Sequence, residues 1–62
     1  MTQTQQILKY LQSGNKITGM DALQLFGCFR LAARVQELRE IGYEVKSQLI
    51  RINGKRIAEY WL

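Results

Sequence analysis

The side chains with chemistry to offer are arginines. In the stretch Cys28–Ile41, CFRLAARVQELREI, Arg30 and Arg34 stand one helical turn apart, with Ala33 between them and Glu37 on the following turn. A guanidinium fork can grip a phosphate or bridge guanine O6 and N7, and a small apolar neighbour can meet a thymine methyl. Cations at the start of a helix run against its dipole, so a structural role alone would not choose them. A second basic cluster, Arg51, Lys55 and Arg56, flanks the dipeptide Asn53-Gly54. Lys16 and Lys46 are weaker candidates for additional phosphate contacts.

Catalytic chemistry has little to work with. There is no histidine, one cysteine and no glycine-rich phosphate loop, so neither a nucleophile with its base nor a zinc set can be assembled. The carboxylates Glu37 and Glu40 are flanked by Arg34 and Arg39, which suits solvated ion pairing better than acid–base work. No catalytic, cofactor-binding or metal-binding residues are therefore expected, and the chain is read as a non-enzyme.

Length and charge narrow the class. Sixty-two residues are expected to form a single domain, residues 1–62, and a chain of this size buries only roughly 60% of its unfolded surface. The net charge of +4 favours polyanionic partners: nucleic acid, an anionic membrane or an acidic protein. No apolar run approaches a membrane span, and the polar opening TQTQQ lacks signal-peptide features, so a soluble cytoplasmic protein is expected.

The elements that must position the arginines follow from periodicity. Residues 2–14 predict a helix with Ile7, Leu8 and Leu11 on its buried face, Thr2 or Thr4 as its cap and Tyr10 at the edge of the core. Lys16-Ile17-Thr18 predicts an extended connector, at most a short strand. Thr18-Gly19-Met20-Asp21 is a capping box with a short acid, opening a helix whose apolar side is Met20, Ala22, Leu23 and Phe26 and which ends at Gly27. The third helix is expected over 28–41, burying Leu31, Val35 and Leu38, with Cys28 and Ala32 beside that stripe. Phe29 falls near its solvent side. Either it packs sideways onto the second helix, which the area of an aromatic ring favours, or it is presented to a ligand.

After Gly42 the texture becomes β-branched and aromatic around Asn53-Gly54, the strongest short hairpin signal. A two-residue loop pairs Ile52 with Lys55, Arg51 with Arg56, Ile50 with Ile57 and Leu49 with Ala58. One face then carries Val45, Leu49, Ala58, Tyr60 and Leu62, and the other Lys46, Ile50, Ile57 and Trp61. Both contain apolar groups, so pattern leaves the inward face open. The basic tip suits a soluble edge strand, or a wing that grips phosphate.

A helix of two turns, a glycine and a second amphipathic helix followed by a hairpin is the outline of an α+β winged helix-turn-helix. The chain resembles the small members of that family common in phage and prophage proteins. Ile17-Thr18, Ala22-Leu23, Phe26-Gly27, the run Arg30 to Val35, Leu38-Arg39, Gly42-Tyr43 and Tyr60-Trp61-Leu62 carry the likeness across nearly the whole chain. It implies three helices, a small antiparallel sheet with the C-terminal hairpin as wing, and double-stranded DNA as partner. By position, Arg30, Ala33, Arg34 and Glu37 would face the major groove. Arg51, Lys55 and Arg56 would sit on the wing (51–56) against the backbone or minor groove, with Phe29, Lys16 and Lys46 as further contacts.

The expected function is sequence-specific DNA binding by a phage or bacterial regulator of transcription or another DNA transaction. The alternatives are a protein-interaction module docking through Phe29, Trp61 and an outward Ile50 or Ile57, or an RNA-binding module. A weak homodimer or a place in a larger protein–DNA complex is compatible with either arrangement of surface.

Overall fold

The structure is a computed structural model and describes residues 2–62. Its order is α1 (Gln3–Gln12), β1 (Ile17–Thr18), α2 (Gly19–Phe26), α3 (Leu31–Glu40), β2 (Lys46–Ile52) and β3 (Lys55–Trp61). The strands form one antiparallel sheet in the order β1-β3-β2. This is the α+β layout expected from the sequence.

Local chemistry explains the helix starts. Thr2 caps α1 through its hydroxyl, which accepts from Gln5 N, while the Gln5 side chain accepts from Thr2 N. At α2 the same box closes with Asp21: Thr18 N donates to Oδ2 at 3.0 Å and Asp21 N donates to Thr18 Oγ1 at 3.2 Å. The short acid reaches because Thr18 is held extended in β1, paired with Glu59. Each box satisfies backbone donors that a helix start would otherwise leave open.

Ile7 and Leu11 of α1, Ile17 of β1, Ala22 of α2, and Leu31, Val35 and Leu38 of α3 close a core completed by Cys28 and Val45. Tyr10 packs at its edge as expected, its ring meeting Phe26 edge-on at 5.7 Å between centroids. The wider apolar side expected for α2 is not buried: Ala22 is inside and Phe26 half-buried, but Met20 and Leu23 are exposed. A helix of two turns contacting a core this small has room to bury only one narrow stripe.

The hairpin has the expected register throughout, around Asn53 (φ 51) and Gly54 (φ 77), the two positive values a type I′ turn requires. Pairing with β1 decides its faces. Ile17, fully buried, stands opposite Tyr60, so the Tyr60 side is inward and the Trp61 side outward. Because the helices end before the hairpin does, Leu49 lies on the inward face yet is 67% exposed. On the outward face the Lys16 ammonium sits 5.1 Å from the Trp61 ring centroid.

Leu38→Ala should therefore lower the unfolding free energy by about 2–5 kcal/mol, most of what a domain of this size possesses. Leu49→Ala should change it by no more than about 0.5 kcal/mol. Urea denaturation of the two variants measures both.

Candidate nucleic-acid interface

Helix α3 does not begin at Cys28. Gly27 adopts the left-handed conformation (φ 66, ψ 24), and the N–H groups of Gly27 and Cys28 return to Leu23 O and Ala22 O at 3.0 and 3.1 Å. That closure turns Cys28 into the core and leaves Phe29 and Arg30 outside the helix. Arg30 occupies the N-cap position of α3 with φ −120 and ψ 67 and contributes no side-chain cap. Ile41, expected inside the helix, is its C-cap. A Ser or Thr in place of Arg30 would have satisfied a backbone donor worth about 1 kcal/mol.

The turn is braced from α1. Gln3 Nε2 lies 3.3 Å from both Phe26 O and Gly27 O, so the α2–α3 connection is held by a side chain far away in sequence. With Cys28 anchored and the turn strapped, Phe29 is 86% exposed. The expectation that it packs onto α2 is overturned: Gly27 and Cys28 set the backbone so that its side chain points away from the second helix. Leaving such a ring in water forgoes about 1.5–3 kcal/mol of burial.

The face of α3 also differs from the one expected. Arg34 and Glu37 do not look straight outward; they lie on the flank towards α1. Arg34 Nε is buried 2.8 Å from Glu37 Oε1, without the alignment of a hydrogen bond, and the two side chains are 34% and 44% exposed. Thr4 of α1 donates its hydroxyl to the same carboxylate at 3.4 Å. Among the described residues this is the one salt bridge, so half of the arginine pair is neutralised within the fold. Ala33 is half-buried, whereas Ala32, expected beside the core stripe, is exposed together with Gln36 and Glu40, which bond to each other at 3.4 Å. Ala32 and Gln36 lie roughly 100° and 140° round the helix from Leu31, away from the Leu31-Val35-Leu38 stripe, and are additions to the exposed face.

Arg39, expected as an ion pair or a solvated charge, instead donates Nε and a terminal nitrogen to Val45 O at 3.1 and 2.8 Å. It ties the end of α3 to the approach to β2.

The wing's three cations divide between faces. Arg51 and Arg56 stand opposite each other on the inward face, and Lys55 pairs with Ile52 on the other. Like charges directly opposite are unfavourable in a ladder, and both arginines are exposed. Arg56, Ile57, Ala58 and Tyr60 form one wall of a groove of about 520 Å³ whose other wall is Phe29, Arg30 and the first turn of α3. A second hollow of about 270 Å³ lies between Phe29, Arg30, Arg34 and Gln3. Phe29 and Arg30 line both and form the ridge between them. The structure thus brings Arg30 to Arg56, with Arg51 opposite Arg56 in the hairpin, and sets Arg34 and Glu37 to one side. Lys16 and Lys46 share the outward sheet face with Trp61 and do not join the groove. Ile50, Ile57 and Trp61 fall on that same face by register, and of these Ile57 also borders the groove that Phe29 lines.

Comparison with known proteins agrees with this geometry. A family model described as a winged helix-turn-helix domain matches residues 2–62. The chain belongs to that family. No curated protein and no solved structure matches it. Membership suggests DNA binding, and winged helix-turn-helix domains are typically non-enzymatic modules. No helix among the described residues is long and apolar enough to cross a membrane.

The exposure of Phe29 has a direct thermodynamic consequence. Phe29→Ala should leave stability within about 0.5 kcal/mol of the parent. Phe26→Ala, which removes a half-buried ring packed edge-on against Tyr10, should cost about 2 kcal/mol or more. Chemical denaturation distinguishes the two.

Proposed function

We propose that this winged helix-turn-helix chain acts as one domain that binds double-stranded DNA sequence-specifically, as a cytoplasmic regulator of transcription or another DNA transaction in a bacterium or phage. The observation that carries this is the groove between α3 and the wing, where Arg30 faces Arg56, itself set opposite Arg51 in the hairpin, and none of the three is paired with an acid among the described residues. A fold that sets two arginines opposite each other without a counter-ion accepts repulsion that an anionic partner relieves. A duplex backbone supplies such charge at regular spacing.

In this arrangement the α3 surface enters the major groove by its N-terminal end. Arg30 and Ala33, with Ala32 and Gln36, reach base edges, while Arg51 and Arg56 hold the adjacent backbone and Lys55 adds charge from the other side of the wing. Arg34 and Glu37 act at the rim. Pairing with Glu37 and a buried Nε restrict Arg34 to its remaining nitrogens. Glu40 keeps the C-terminal half of α3 off the phosphates, which confines the footprint to the helix start and the wing.

Titrating the protein against random duplex DNA, single-stranded DNA and duplex RNA over a salt series tests the proposal. Three to five phosphate contacts predict a log–log slope of roughly −3 to −5 on duplex DNA. Arg30→Ala should reduce preference for a selected site by about 1–3 kcal/mol, whereas Arg56→Ala should weaken all duplexes alike and flatten the slope by about 1. Arg34→Ala should do less than Arg30→Ala. Absence of duplex binding at low salt, or a preference for RNA or single strands, overturns the assignment.

A further inference from the structure

We propose that Phe29 is a specificity-determining residue that reads the 5-methyl group of a thymine in the major groove. This deepens the DNA-binding assignment above and rests on it.

Three observations converge on this ring. Phe29 is the most exposed of the large apolar side chains, at 86%, on a segment that is otherwise held tightly. Cys28 is buried on one side of it and α3 begins just beyond Arg30, while Gln3 straps the preceding turn through Phe26 O and Gly27 O. A ring presented on a braced turn loses little freedom on binding, so contact with a partner is not offset by ordering cost.

Its position is the second observation. Phe29 and Arg30 together form the ridge between the groove under the wing and the hollow beside Arg34. A ridge enters a concave partner, and the major groove is the concavity wide enough to admit the end of a helix with the residues that precede it. The third is charge. Arg30 stands beside Phe29 and Arg56 across the groove, a setting suited to a polyanion and unsuited to an uncharged apolar protein surface. Within the major groove the one apolar feature of a base edge is the C5 methyl of thymine, and a phenyl ring is among the groups that meet it. Wedges that separate base steps usually work from the minor groove, where the end of α3 does not lie in this arrangement.

The experiment separates failure of this inference from failure of DNA binding itself. Duplexes selected from a random library give a preferred site, and each thymine in it is then replaced singly by deoxyuridine, which lacks only the methyl. One such replacement should weaken binding of the parent protein by roughly three- to fivefold, the worth of a methyl group taken out of water. Phe29→Ala should lose a comparable factor on the thymine duplex and show no further loss with deoxyuridine at that position. Restoring the methyl as 5-methylcytosine, paired with guanine at the same position, should recover part of the Phe29-dependent contact relative to cytosine. If the selected duplex binds but every deoxyuridine is neutral, or if Phe29→Ala still discriminates thymine from deoxyuridine, the inference is overturned while DNA binding stands. If no duplex binds at low salt, both are overturned together. Because Phe29 is solvent-exposed, Phe29→Ala is expected to fold, and its thermal unfolding transition verifies this before binding is measured.

Discussion

The pairing of β1 with β3 is the contact on which the rest of the molecule depends. Ile17 meets Tyr60 and Thr18 meets Glu59, joining a residue near the start of the chain to one near its end. A two-stranded hairpin is marginal alone in water, and three helices this short would not hold a defined core without a lid. The two-residue strand supplies what both lack. It buries Ile17 among the helices, turns the Tyr60 face of the hairpin inward, and holds Thr18 extended so that it can cap α2. Loop-closure entropy is spent once, and the core and the wing are both fixed by it.

Stability and function are then separated in space. The starts of α1 and α2 carry complete capping boxes and the α2–α3 turn is closed by a left-handed glycine. The start of α3 is the exception. It has an arginine where a capping side chain would serve the helix, and beside it an aromatic ring left in water. The wing repeats the exception, with Arg51 against Arg56. Phe29 and Arg30 on one wall and Arg56 on the other bring these local departures from what the fold would prefer to one groove, and departures of this kind are where a binding surface is to be sought.

The opposite has happened to Arg34. Sequence spacing makes it the twin of Arg30, one turn along the same helix, yet the fold treats the two differently. Arg30 precedes the helix and points free of it, while Arg34 lies against α1, paired with Glu37 and joined through that carboxylate to Thr4. Its charge is partly used in holding α1 to α3. The difference follows from where the neighbouring helix lies, which no periodicity within α3 contains.

Much of the layout was legible beforehand because it rests on local chemistry. The capping threonines, the glycines at element ends, the Leu31-Val35-Leu38 stripe and the Asn-Gly turn with its full register each follow from residues within a few positions of one another. Tertiary structure alone decided the rest. Which face of the hairpin points inward was undetermined because both faces carry apolar side chains, and only the partner strand breaks that symmetry. Phe29 was expected to pack because aromatic burial is favourable in general, but burial requires a surface in reach, and the Gly27–Cys28 closure directs the ring away from α2. Ala32 and Gln36 are surface because the core covers only the narrow Leu31-Val35-Leu38 stripe and not the positions beside it. The sequence by itself determined the elements, their order and the supply of arginines. Which arginines share a groove was decided by long-range packing, because the direction of a side chain near a helix end depends on the elements beside it.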